Sequence, residues 1–365
     1  MGLSATNSSV QSRTFGVLDG GEPVTAWQLT VEGGLSLECI SYGGIVTRLM
    51  VPDRDGQFAD VVLGFNELAD YVSGSAYLGA MIGRVAGRIP GARYQAEGIL
   101  HKLSRNGPTN HLHGGFQGFD KKNWQGTLNE RQDGAPSICL HWTSPNGDEG
   151  YPGTVNVKVT YTVTYDNVFL IETEATTDRA TPVSLTHHSY FNLADESSGS
   201  IEDHLLEIHA DDYVPVDEEM NPQSRLQQVI NPGNDFRVLT PIRDALPHLF
   251  RQHGDLYRLR GNNELPATSR MVPAARLIDP ASGRVLEVST SETYLQFYTG
   301  VSLDGTLVGK SGTRYAKHGG LCLECEGYPD GATHPALGNI LLQPGETRRE
   351  MTAYSFSNTN EWRER

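Results

Sequence analysis

Cysteine is scarce: four residues in 365, namely Cys39, Cys139, Cys322 and Cys325. That is too few to staple a chain of this length, so a disulfide scaffold is excluded and the core must hold by packing. Positive charge is also in deficit, with 29 Lys and Arg against 44 Asp and Glu and a formal net charge of -15. Phosphate contacts need clustered cations, so nucleic acid and anionic membrane are excluded as partners. No run of about 18 or more apolar residues is present to span a bilayer as a helix. The opening Met1-Gly-Leu-Ser-Ala-Thr-Asn-Ser-Ser lacks the basic start and apolar stretch of a signal peptide, and a cytoplasmic protein is the expectation. Charge blocks, low-complexity tracts and fixed-period repeats are missing too. Nothing marks a domain boundary, and residues 1–365 read as a single domain.

What the chain has in quantity is glycine, 40 residues, set between short alternating runs. Val24–Val31 and Leu35–Ile40 are two such runs, separated by a Glu32-Gly-Gly turn. The clearest strand is Thr154–Tyr165. Val155, Val157, Val159, Tyr161, Val163 and Tyr165 share one face, with Thr, Asn and Lys on the other, the period of two of an antiparallel strand with one face in the core. Asp166-Asn167 reads as a hairpin turn into Val168–Ala175. Val285–Val288, Tyr294–Tyr298 and Glu350–Phe356 continue the pattern, Asn66–Tyr71 reads as a brief helix, and Pro222–Glu264 is an irregular excursion with one helical turn near Ile242–Phe250. The fold class is all-β, a large antiparallel β-sandwich.

Polar groups on strand faces carry the chemistry. Between Gly320 and Gly327 alternation sets Leu321, Leu323 and Cys325 on one side and Cys322, Glu324 and Glu326 on the other. A carboxylate inside an otherwise apolar, short strand lines a polar cavity, where desolvation makes it a usable proton carrier. Glu324 is the candidate base, with Glu326 its rival on the same face. Cys322 and Cys325, three apart on a strand, face opposite ways and read as buried thiols. In Thr186-His-His-Ser-Tyr-Phe-Asn-Leu193, strand alternation groups Thr186, His188, Tyr190 and Asn192. It leaves His187 among apolar residues as a hydrogen-bonded core histidine. His188, on the polar row, titrates near neutral pH and suits proton transfer. His111 and His113 fall on one side if extended, but no Cys or carboxylate at ligand spacing supports a metal, and ligand hydrogen bonding is the expected role. Gly114-Gly115 would let backbone approach that ligand. Gly83-Arg84 and Gly87-Arg88 place two guanidinium forks in a shaped loop, suited to vicinal hydroxyls or a carboxylate.

Taken in order, these segments resemble the aldose 1-epimerase (galactose mutarotase) family. The likeness is carried by Gly83-Arg84, Gly87-Arg88, Asn106-Gly-Pro…Leu112-His-Gly-Gly, Gly118-Phe-Asp-Lys121 with Trp124, and His188-Ser-Tyr-Phe-Asn-Leu193. Tyr213-Val-Pro-Val-Asp217, Gln296-Phe-Tyr-Thr-Gly300, Cys322-Leu-Glu324…Pro329-Asp330 and Leu342-Gln-Pro-Gly-Glu346 complete it, spanning about Gly43 to the C-terminus. The resemblance implies a β-supersandwich that interconverts the α and β anomers of a free aldose such as galactose or glucose, with no cofactor and no metal; monomer and homodimer both stay open as the state of assembly. By position it makes Glu324 the base at the anomeric hydroxyl and His188 the acid at the ring oxygen. It has His113 hydrogen-bonding near the reacting end, and Arg88 and Gln296 holding sugar hydroxyls. Two departures stand out. Gly87 occupies a position where the family often has Asn. The family's hydroxyl-binding Asp is matched by Asp255, but Leu256 follows it in place of a His.

Mutarotation removes a proton from the C1 hydroxyl while another reaches the ring oxygen, and a carboxylate and an imidazolium on opposite sides of the sugar are the expected arrangement. Three other readings compete. An inverting glycosidase needs a second acid, for which Asp235 or Asp255 could serve. A non-catalytic sugar-binding protein has no use for a paired imidazole and carboxylate. A sugar-phosphate 1-epimerase is favoured only by Arg84 and Arg88.

Overall fold

The computed structural model describes residues 8–74, 76–261 and 270–359. Most of the opening segment read for a signal peptide, and the last three positions of the irregular excursion (262–264), lie outside the described residues.

The strand expected at 154–165 runs Val155–Val163, and all five of its expected core residues up to Val163 are buried. Tyr165 is not among them: the hairpin begins at Thr164, and Tyr165 is 40% exposed. Asn167 takes the left-handed conformation the turn requires (φ 62). This hairpin is part of a nine-stranded sheet that also takes in Thr347–Asn358 and Arg284–Thr290. A five-stranded meander holds Ser8–Val17 to Phe58–Asp60 in chain order, and a second five-stranded sheet ends with Leu256–Leu259, Tyr294–Tyr298 and Cys322–Glu326. Pairing is antiparallel throughout the three sheets.

One contiguous apolar cluster joins the three, from Leu37 and Leu49 through Val157 and Val159 to Leu295 and Leu323. Two tyrosines tie the layers with polar contacts as well. Tyr161 donates to Gly44 O at 2.7 Å, and Tyr354 donates to Leu323 O, on the strand of the candidate base, at 3.0 Å. Helix is confined to short pieces, including Leu68–Ser73 and Ile242–Ala245 near the expected turns. Among the described residues no helix is long and apolar enough to cross a membrane.

Two expectations need correction. The segment 186–193 is not one strand. Only Thr186–His187 is a strand, paired with Met81–Ile82. The backbone then turns to three different partners: His188 N donates to Ala80 O, Tyr190 O accepts from Leu63 N, and Phe191 pairs with Leu321. With no single partner strand, the period of two breaks. Asn192 is bonded to Gly319 O, and Tyr190 is the member of the expected polar row that stays with His188.

Arg84 is the second correction. It is buried, and its guanidinium donates to Ser144 Oγ and O, Pro145 O, Pro152 O, Gly153 O and Thr181 Oγ1. These are carbonyls and hydroxyls of the chain itself, so Arg84 holds loops together and has no donors left for a ligand. Arg84→Met should strand several buried carbonyls and lower unfolding stability by at least about 3 kcal/mol, read from the denaturant midpoint.

Candidate active site

Antiparallel register builds the first wall. Glu324 stands directly opposite Gln296, with Tyr298 opposite Cys322 and Tyr294 opposite Glu326. Opposed residues share a face, so Glu324, Gln296 and Tyr298 point the same way, into a cavity of about 240 Å³. The other face of the strand, Leu323 and Cys325, goes to the core as alternation requires. All four cysteines are free thiols, Cys322 and Cys325 included.

The second wall comes from two loops pinned to each other. Arg88 pairs with Leu112 in a short ladder. Beyond it His113 N donates to Gly87 O at 3.0 Å, and Gly87 N donates to His113 Nδ1 at 3.2 Å. His113 has φ 49, which turns its ring into the cavity and away from His111. The two histidines therefore do not act together. His111 is buried, its Nε2 2.9 Å from Tyr151 Oη and its Nδ1 2.6 Å from Ser104 O. Gly114 approaches protein and not a ligand: a Cβ there would fall 1.8 Å from Gly83 O. Gly115 likewise lies against the Glu149 side chain.

His188 closes the site. Its ring lies between Tyr77 (centroids 5.8 Å, 29°) and Tyr190 (5.1 Å, 30°), with the His113 ring edge-on at 5.3 Å. Its Nδ1 is 3.5 Å from Cys322 Sγ, and its Nε2 is 3.6 Å from Glu324 Oε2. The acid and the imidazole thus stand side by side, not on opposite sides of a ligand. Glu326 makes no such approach, which separates it from its rival Glu324. His187, by contrast, is the core histidine expected: it packs on Tyr161 and Phe169, and its Nε2 is 2.7 Å from Ser189 Oγ.

Burial governs the titrations. Desolvation pushes the Glu324 carboxyl up to about 8, with the Arg88 charge opposing it, and drops His188 to about 4. His113 is held well below the ordinary imidazole range, first by desolvation and then by His188 and Arg88. Burial also lowers Arg88, which the Glu324 charge partly offsets. Glu324 Oε2 has no hydrogen-bond partner, an acceptor left facing the cavity.

Gln296 lines the same cavity, its Nε2 donating to Phe297 O at 2.6 Å. Asp255 does not line it. It borders an adjoining cavity of about 30 Å³ that shares Arg88, His253, Gln296 and Glu326 with the larger one. There burial raises its carboxyl to about 7. Asp235, the other acid considered, is paired with Arg237 and lines neither cavity.

Among the polar and aromatic residues of the lining, Tyr77, His253, Tyr298 and Ser302 escaped sequence reasoning, as did the apolar Ala76 and Val301. Tyr298 shares the period-two face of Gln296 and was there to be found. His253, 4.7 Å from the Tyr298 ring, lies in the irregular excursion, and Tyr77 in a loop, where no periodicity points anywhere.

His113, His188 and Glu324 each offer a ligand atom, all within 4.8 Å of one another. A metal there would need the hydrogen bonding of His113 to change: the nitrogen bonded to Gly87 would have to give up its donor. The arrangement fits better around the oxygens of one organic molecule.

Comparison with known proteins finds likenesses along nearly the whole chain. The family model described as "Aldose 1-epimerase" matches residues 25–355. A galactose mutarotase of Rattus norvegicus is 41% identical over 353 residues, covering 96% of this chain and 99% of the relative. An aldose 1-epimerase of Haemophilus influenzae is 37% identical over 352 residues, covering 95% and 99%. Among solved structures, a galactose 1-epimerase from Lactobacillus acidophilus superposes with TM-score 0.83 at 25% identity, covering 97% of this chain and all of that one.

Because Gly87 N–H occupies Nδ1, the His113 proton belongs on Nε2 and the ring stays neutral. ¹⁵N NMR of the imidazole should report the Nε2–H tautomer unchanged from about pH 5 to 9, whereas an ordinary histidine titrates near 6.5.

Proposed function

The chain belongs to the aldose 1-epimerase family and is an isomerase that interconverts the α and β anomers of free aldoses such as galactose or glucose; on that premise we propose that Glu324 and His188 move its protons. The observation that supports this reading is the 3.6 Å separation of His188 Nε2 and Glu324 Oε2 in one cavity. Ring opening takes a proton from the anomeric hydroxyl and gives one to the ring oxygen. Both oxygens are bonded to C1, so they are neighbours, and two adjacent side chains reach both at once. The neighbouring disposition suits the reaction better than the opposed one expected from sequence.

The cycle needs one proton on the pair. With Glu324 as carboxylate and His188 as imidazolium, the carboxylate removes the C1 hydroxyl proton while the imidazolium protonates the ring oxygen. This leaves the open-chain aldehyde beside a neutral acid and a neutral imidazole. Rotation about C1–C2 presents the other face. The acid then protonates the carbonyl oxygen as the imidazole deprotonates the attacking hydroxyl, and the first state returns. Burial favours the neutral pair, which is the partner of the open-chain form. His113, with its Nε2–H, donates to a sugar oxygen near the reacting end. Arg88 and Gln296 hold hydroxyls from the walls they line, and Asp255 contributes from the adjoining cavity. The sugar-phosphate alternative loses Arg84, whose donors are committed to the chain.

Glu324→Gln and His188→Asn should each lower kcat by roughly 10²–10⁴, with sugar affinity held within about tenfold. Polarimetry on freshly dissolved α-D-glucose or α-D-galactose, beside calorimetric binding, measures both. Near-normal turnover by Glu324→Gln would refute the assignment. The rate should also be bell-shaped in pH. Below about 4 His188 gains a second proton and no base remains. Above about 8 Glu324 loses its proton and no acid remains. A profile flat from pH 3 to 10 is incompatible with this pair.

A further inference from the structure

The proton transfers leave a second buried carboxyl of the cavity unused. Glu326 is 1% exposed, and its Oε2 finds no hydrogen-bond partner among the described residues. It borders both the main cavity and the adjoining one that Asp255 lines. A purely structural carboxyl this deep would be met by a protein donor, because an unpaired buried polar group is costly. None is supplied. Room for the group comes from Gly87, where a Cβ would lie 3.1 Å from Glu326 Oε1 and 2.5 Å from Pro329 Cγ. At about 3.3 Å of rise per residue, Glu326 follows Glu324 by about 7 Å along the same strand face. That distance is comparable with the span of one pyranose and its hydroxyls.

We propose that Glu326 is a specificity-determining residue that binds a hydroxyl across the pyranose ring from the anomeric carbon, where the main cavity meets the Asp255 annex. The assignment rests on the anomeric carbon sitting at Glu324 and His188. Burial, and secondly the nearby Glu324 charge, push the Glu326 carboxyl well above the ordinary carboxylate range, towards its protonated form. In that form it offers the sugar one O–H donor and one carbonyl acceptor, a match for a hydroxyl, which both accepts and donates. A neutral aldose is therefore the class of substrate recognised at this end.

The test is a cycle between enzyme and sugar. Wild type, Glu326→Leu and Glu326→Gln are assayed polarimetrically on the parent aldose and its 3-, 4- and 6-deoxy analogues. For wild type, one of the 3- or 4-deoxy sugars should lose about 5- to 100-fold in kcat/KM, carried mainly by KM. Glu326→Leu should lose a similar factor on the parent and little more on that same deoxy sugar. Glu326→Gln, whose amide also donates and accepts, should stay within about threefold of wild type. Equal losses by Glu326→Leu on parent and deoxy sugars would show a structural role and overturn the proposal. If Glu326→Leu does not fold, a wild type indifferent to every deoxy sugar overturns it equally. The proton-transfer assignment fails separately, through an active Glu324→Gln, since the deoxy-sugar cycle reads binding whichever groups move the protons.

Discussion

Taking the Glu324 carboxyl out of water raises the free energy of its charged form, and much of the surrounding structure controls that one quantity. The strand Cys322–Glu326 is buried along its whole length, and the Tyr354 hydroxyl holds its backbone to the nine-stranded sheet. Arg88 supplies the nearby positive charge that limits the penalty, and His188 stands with its Nε2 3.6 Å from Glu324 Oε2. An exposed acid beside an exposed imidazole would form a weak, screened ion pair. The same two groups withheld from water are held by burial with one proton between them over the neutral range.

The position of such a pair is fixed by the groups packed around it. His188 is held between two tyrosine rings, and His113 is fixed by a reciprocal pair of bonds with Gly87. Arg84, close in sequence to Arg88, takes a different part: it ties two backbone segments, 144–145 and 152–153, and the Thr181 hydroxyl to the loop that carries Arg88. Two arginines four apart thus divide between holding the site and facing its contents. The division follows from burial, because a guanidinium with no water must spend its donors on carbonyls.

Where sequence reasoning went astray, it had extended a local period past its partner strand. The 186–193 segment alternates plausibly on paper, yet its backbone bonds to three separate pieces of chain, so its side chains follow those pieces. His111 and His113 were grouped by spacing, but a left-handed backbone at His113 separates them. The glycine pair after His113 makes room for a neighbouring carbonyl and a glutamate side chain, not for a ligand. In each case the deciding contact is far away in sequence, and no window of a few residues contains it.

The chain by itself determined which residues lie on which face of its regular strands. Val155 to Val163, the Glu324 face against the Leu323 face, and the antiparallel character of the whole follow from a period of two that needs only local geometry. It also determined, through its ordered motifs, the family and the identity of most polar groups in the site. Tertiary structure alone decided that Glu324 and not Glu326 meets His188, that Arg84 is withdrawn, that Asp255 stands in an adjoining cavity, and that Tyr77 and His253 join the lining. The reason is physical. Facing is a property of one strand, whereas distance, burial and the titrations they cause belong to segments brought together from opposite ends of the chain.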